Sequence, residues 1–221
     1  MKKFLTLALV FIIGVTCASA QSQKEINKEN KARDKYTEQK VREKASKTAR
    51  KEAKKYAKDG WVVSPGSLPL EKQLDRAYNM EWDMDQDGPV YITGTAQSIG
   101  EHYDAAKMQA IELAKLQIAG MIETNIASII ESTIANQQIA EGDAASLVET
   151  VQASKNIISQ KLGRVVPVVE CYRDVKKKKE VLVRLTYNRK QAMNTAKECI
   201  REELKKKGDK LHEELDNVLG F

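Results

Sequence analysis

One pattern constrains this chain more than any other. From Ala106 onward an apolar residue recurs at every fourth position: Ala106, Ala110, Ala114, Ile118, Ile122, Ile126, Ile130 and Ile134. Such spacing keeps side chains near one face of a helix and is incompatible with the two-residue period of a strand. It predicts one long helix over about 103–140, with Asp104 as N-cap candidate and Glu131 well inside. A four-residue step overshoots a helical turn by about 40°, so the row winds around the helix and its two halves face different neighbours. The alanine half permits close backbone approach, and the preceding strand offers Gly94 and Ala96 for it. The isoleucine half needs a second helix. Ala144, Leu147, Val148, Val151, Ile158 and Leu162 supply one at helical spacing after Gly142 and Asp143. The two predict an antiparallel αα-hairpin.

The rest of the body reads around that hairpin. A short helix over about 70–80 sets Leu70, Leu74, Ala77 and Tyr78 on one side. Val90, Ile92, Gly94 and Ala96 share one face of a strand. Residues 165–172 and 181–187 alternate as two further strands. In the last, Val181, Val183, Leu185 and Tyr187 point one way and Leu182, Arg184 and Thr186 the other. Pro167 removes a ladder donor and marks its strand as an edge. Residues 174–179 form the connecting loop, with a basic tip. A final helical region from Arg189 to about Leu219 turns Met193, Ala196, Ile200, Leu204, Leu211, Leu215 and Val218 inward, with a possible break at Gly208 and Asp209. The order β-α-α-β-β-α predicts an α+β fold. Its small, mostly antiparallel three-stranded sheet, from 90–97, 164–173 and 180–187, carries helices on one face.

Charge divides the chain differently. The 221 residues carry +6 overall. Residues 24–58 hold 14 Lys+Arg against 6 Asp+Glu, net +8, and residues 59–221 hold 21 against 25, net −4. The basic segment lacks Pro and Gly, and Glu29–Arg33, Glu38–Arg42 and Glu43–Lys47 are favourable i,i+4 pairs. Its apolar residues Ile26, Tyr36, Val41 and Tyr56 make no stripe. The expected organisation is therefore a basic helical or disordered arm over 21–59 and a single α+β domain over 60–221.

Residues 1–20 read as a signal segment. Lys2 and Lys3 precede an apolar run, and Ala18-Ser19-Ala20 is a small-residue cleavage site, so the mature chain would start at Gln21 in the periplasm or outside the cell. Acylation on Cys17 is the rival reading, but Gly14 and Thr16 are poor lipidation neighbours. No transmembrane segment is expected after cleavage. Cys171 and Cys199 would remain, either paired or as two small buried thiols.

Little chemistry stands out. His102 and His212 are the two histidines; Thr93, Thr95 and Ser98 lie near the former, and nothing marks one as activated. Asp83, Asp85 and Asp87 before Gly88 imitate half a calcium loop. The twelfth position is Gly94 rather than Glu, leaving a weak calcium candidate. Trp61 and Trp82 flank the short helix as packing residues or a stacking platform. No catalytic residues and no cofactor are expected.

The strand "YITGTA", the helix opening "DAAKMQAIELAKLQIAGMI" and the late strands "VVECYR" and "VLVRLTY" resemble the twenty-kilodalton outer-membrane lipoprotein family of Helicobacter. They resemble more loosely the N-terminal domain of the flagellar protein FlgT. Uncharacterised exported proteins of Bacteroidetes are similar over nearly the whole mature chain. The resemblance implies a compact α+β envelope module without known catalysis.

Together these readings predict an exported, non-catalytic cell-envelope protein that binds or scaffolds. Lys47, Arg50, Lys51, Lys54 and Lys55, with Lys176, Lys177, Lys178 and Lys179, would contact an anionic envelope surface or an acidic envelope protein. Self-association is compatible with this reading and nucleic acid is not expected. The alternative is a holdase chaperone of the periplasm.

Overall fold

The computed structural model describes residues 44–135, 141–162, 165 and 167–219, together with Lys28 and Lys31. The expected signal segment and most of the expected arm lie outside the described residues. Lys28 and Lys31 are helical and exposed. The chain divides into two units, Met1–Lys44 and Ala45–Phe221, and the second is described below.

Helices α1 (Lys47–Lys58) and α2 (Leu70–Glu81) come first, then a two-residue hairpin of β1 (Met84–Asp85) and β2 (Gly88–Pro89). Strand β3 (Tyr91–Gly100) leads into α3 (Tyr103–Ala135) and α4 (Glu141–Lys161). Strands β4 (Pro167–Val175) and β5 (Lys178–Asn188) precede α5 (Arg189–Lys207) and α6 (Leu211–Leu219). The main sheet has the order β3-β5-β4, antiparallel throughout. Pro167 therefore lies on an edge strand, as its missing N–H requires.

The winding apolar row does what its geometry demands. Ala106, Ala110, Ala114, Ile118, Ile122, Ile126 and Ile130 are all fully buried. The alanines lie on β3, where a Cβ at Gly94 would meet the Ala114 backbone. The isoleucines join Ala144, Leu147, Val151 and Ile158 of α4 in the main core. Asp104 lies in the first turn of α3 rather than before it. Gly208 ends α5 in the left-handed region at φ 71°. Asp209 then starts α6 by accepting the Leu211 N–H at 3.0 Å.

Three expectations need correction. The sheet is covered on both faces, not one. Val181, Val183 and Leu185 enter the main core, whereas Leu182, Val169 and Cys171 face a second core with Trp61, Leu74, Ala77, Ala45 and Ala49. The boundary expected between 59 and 60 accordingly moves to between 44 and 45. Helix α1 belongs to the body because Ala49 and Ala53, one turn apart, and Ala45, just before the N-cap, turn small side chains inward, two of them buried and Ala53 half-buried. Such small side chains bring a backbone close to its neighbour even on a helix dominated by charge. The 83–88 segment, expected as a loop, pairs as the β1–β2 hairpin.

Candidate functional site

Helix α1 is fixed at its start by two contacts. The Ser46 hydroxyl oxygen accepts the Ala49 N–H at 3.2 Å, and the Ser46 N–H donates to Asp75 Oδ1 at 2.9 Å. With the alanines turned into the second core, the opposite side carries the cations. Lys47, Arg50, Lys51 and Lys54, spaced i, i+3, i+4 and i+7, line an open recess of about 270 Å³. Among the described residues neither these four nor Lys55 is ion-paired.

A larger recess of about 680 Å³ adjoins it, lined by Lys51, Lys55, Glu52, Asp59, Trp61 and Arg173 among others. Here charges are mixed. Arg173 lies 4.7 Å over the Trp61 ring, donates from Nε to Glu180 at 2.7 Å and from its terminal nitrogen to the Asp59 carbonyl at 3.2 Å. That last bond ties the C-terminal end of α1 to the strand carrying the second basic segment. Two groups of cations, far apart in sequence, thus belong to one body.

The second segment is tighter than expected. Asp174 and Val175 pair with Lys179 and Lys178, leaving Lys176 and Lys177 as a two-residue turn. Lys176 takes φ 58°, in the left-handed region. Lys176, Lys177 and Lys178 are exposed. Lys179 instead pairs with Asp174 at 2.5 Å and lies 5.4 Å from the centre of the Tyr172 ring. Its hydrogen bond with Asp174 raises its pKa above the ordinary lysine value. It is the member of the set least available to a partner.

The acidic loop turns to basic side chains at the start of α5. Asp85 contacts Arg189 at 3.4 Å and Lys190 at 3.2 Å, and Asp87 contacts Lys190 at 3.1 Å. The Asp87 N–H donates to Asp85 Oδ1, which with Lys190 holds the Asp85 carboxyl below the usual aspartate range. At the weak calcium candidate of Asp83, Asp85 and Asp87, the latter two carboxylates are thus taken up by Arg189 and Lys190. No group of three metal-ligating side chains exists among the described residues.

The other candidates disperse. His102 is exposed, while a His212 ring nitrogen lies 2.6 Å from the Asp209 carbonyl. Ser98 donates its hydroxyl to Gln109 at 2.6 Å, across the sheet–helix contact. Trp61 is buried, whereas Trp82 is 76% exposed, so they form no common platform. Cys171 and Cys199 are free and buried in different cores, on opposite sides of the sheet. Burial pushes the Cys171 thiol up to about 12, which makes it an inert packing group.

Sequence reasoning missed a polar cluster at the β4 edge. Ser64 donates to the Tyr103 hydroxyl at 2.9 Å, Tyr103 donates to Glu170, and Lys107 pairs with Glu170 at 2.8 Å. Gln73 accepts the Glu170 N–H at 2.7 Å. Burial, then the Glu170 bond, raises the Tyr103 pKa. The four side chains satisfy one another and clamp α3, β4 and the 62–69 segment together. Their positions, 39 and 67 residues apart along two of the bonds, carry no local signal.

The fold and its surface define an α+β protein with a cationic helix face anchored on the sheet. No protein-family model, no curated protein and no solved structure matches the chain. Among the described residues no helix is long and apolar enough to cross a membrane.

Proposed function

We propose that this is an exported, non-catalytic cell-envelope protein that works by binding or scaffolding, using α1 and the β4–β5 turn to engage anionic envelope components or an acidic partner. The observation that carries the reading is the cationic face of α1. A helix that packs through alanines while displaying cations that no described carboxylate pairs presents its charge in one direction, unlike a solvated arm. The backbone beneath these cations is already ordered, so binding an anion costs side-chain freedom alone. The signal segment supports export, with the mature chain starting at Gln21. A holdase would need an apolar capture surface, and the two recesses beside α1 are lined mainly by polar and charged side chains.

The test is co-sedimentation with native envelope fractions across a salt series. It compares the full chain with a variant in which Lys47, Lys51, Lys54 and Lys55 become Gln. Binding should fall with salt, because screening shortens to about 8 Å at physiological ionic strength. The variant should be recovered less at low salt. Equal, salt-insensitive recovery of both proteins would sink the reading. Truncation before residue 60 is unsuitable, since it removes Ala45 and Ala49 from the second core.

A further inference from the structure

The main sheet has two edges and protects one of them. On β4, Pro167 removes a donor and the register shifts between Pro167 and Val169. Val62 exchanges two backbone hydrogen bonds with Tyr172, both at 2.8 Å, and Gln73 accepts the Glu170 N–H. A proline, an irregular register and a covering segment are devices that keep foreign strands off a sheet. The β3 edge has none of them. Its ten residues pair with β5 without a register shift. They include no proline and no charged side chain.

The Thr95 N–H points away from β5 and donates to Gln117 Oε1 at 2.6 Å. Gln117 thus stands where the carbonyl of a neighbouring strand would stand. Alternation turns Thr93, Gln97 and Ile99 to the same free edge. Among the described residues no acceptor meets their outward N–H groups. Above the edge, Ala105, Gln109, Leu113 and Gln117 make an exposed, uncharged i,i+4 row on α3. Gln109 reaches Ser98 and Gln117 reaches Thr95, so Leu113 stands over the middle of the strand. On the opposite face the side chains of Thr95, Gln97 and Ile99 are exposed.

We propose that β3 is the interface of a twofold dimer, in which a second copy of this chain adds its own β3 antiparallel and the two sheets become one. Self-pairing suits this strand. The axis falls near Thr95 and Ala96, neutral residues meet neutral residues, and no charge is stripped of water. Helix α3 packs over both β3 and β5, so its copy would lie two strand spacings away, about 10 Å. Two helices pack at about that distance, and the side chains meeting at the axis are the two copies of Leu113. Each copy contributes about 30 Å of strand edge and about 18 Å of helix flank. With each layer about 10 Å thick, that is roughly 500 Å² per copy, and the pair reaches the ~1,000 Å² of a specific interface. Pairing uses both open edges and leaves the two protected β4 edges outside, so the assembly closes at two copies. The proposal goes beyond the envelope-binding reading and does not rest on it.

The experiment is sedimentation equilibrium of the full chain over a concentration series, which should show a reversible monomer–dimer equilibrium. Gln97→Lys and Leu113→Lys, both at exposed positions, set like charges across the axis. Each should weaken the dimer tenfold or more with unchanged far-ultraviolet circular dichroism. One lies on the strand and the other on the helix, so a folding defect in one leaves the other as the test. Leu113→Cys should also link two copies under mild oxidation, since Cys171 and Cys199 are buried. Met108→Cys, exposed and about 140° around the helix from Leu113, should not. A monomer at every concentration would overturn the proposal and leave the edge to a strand from another protein. A dimer of unchanged affinity in both lysine variants, or equal linking of both cysteine variants, would overturn it in favour of another surface.

Discussion

Gly94 of β3 lies directly against the Ala114 backbone of α3. A Cβ built at Gly94 would fall onto the Ala114 carbonyl oxygen, 3.2 Å from its carbonyl carbon and 2.9 Å from Ile118 Cγ1. The contact sets how closely the long helix approaches the sheet, and the obstacle is backbone, which cannot swing aside. Gly94→Ala should therefore destabilise the protein by about 3 kcal/mol or more, as severe overpacking does. Gly120 is the matched control, because its added Cβ would meet only the flexible end of Lys155, at 3.2 Å. Gly120→Ala should be neutral or stabilising by up to about 1 kcal/mol, from helix propensity. Urea unfolding of the two variants checks both signs, and equal effects would refute the account.

Ala49 should tolerate little enlargement. It is fully buried where α1 meets the second core. Ala49→Leu should cost about 1–3 kcal/mol, and Trp61 fluorescence should report loosened packing. A variant as stable as the parent, with unchanged emission, would place α1 away from the body.

Asp209 begins α6 and also accepts the Ser146 hydroxyl at 2.9 Å. The Leu211 N–H first, then Ser146, holds its carboxyl below the ordinary aspartate value. A depressed carboxyl adds stability above its unfolded value and loses that addition as pH falls through the folded one. Asp209→Ala should cost about 1 kcal/mol near neutral pH. The gap to the parent should close below about pH 3.9, the ordinary aspartate value. Thermal melts over a pH series measure it, and a gap constant down to pH 2 would contradict the capping role.

Cys171 and Cys199 should both resist a thiol reagent in the folded protein and react after unfolding. They lie in separate cores, and burial raises the pKa of each. Non-reducing peptide mapping should find no Cys171–Cys199 linkage. Recovery of that linked peptide would refute the two-core arrangement.

Tyr103→Phe removes the hydroxyl that joins Ser64 to Glu170. The loss should be about 1–2 kcal/mol, within the range for a hydrogen bond to a charged acceptor. A cycle with Glu170→Gln should show non-additive losses. Strict additivity would mean that the two side chains do not act as one clamp.

Much of this architecture was legible in the sequence, because helix and strand periodicity are local. The four-residue row from Ala106 to Ile134 specifies both the long helix and its change of neighbour midway. Alternation from Val181 to Tyr187 specifies a strand, Pro167 an edge, and Gly208 with Asp209 a break between helices. The same stripe logic applied to Ala45, Ala49 and Ala53 would have placed α1 in the body. Alanine is too weakly apolar to stand out against 14 basic residues between Lys24 and Lys58.

What the tertiary structure alone decided depends on residues far apart in the chain. Leu182 is a strand residue on either reading, and only packing shows that its side of the sheet has a core of its own. The separation of Cys171 from Cys199 follows from which face each one occupies, a relation that no spacing encodes. The engagement of Asp85 and Asp87 by Lys190 required a helix about 100 residues away. The Arg173–Asp59 bond likewise spans 114 residues. Sequence determined where cations are; whether each is paired depends on which distant carboxylate the fold brings within about 4 Å, and for Lys47, Arg50, Lys51 and Lys54 the described residues bring none.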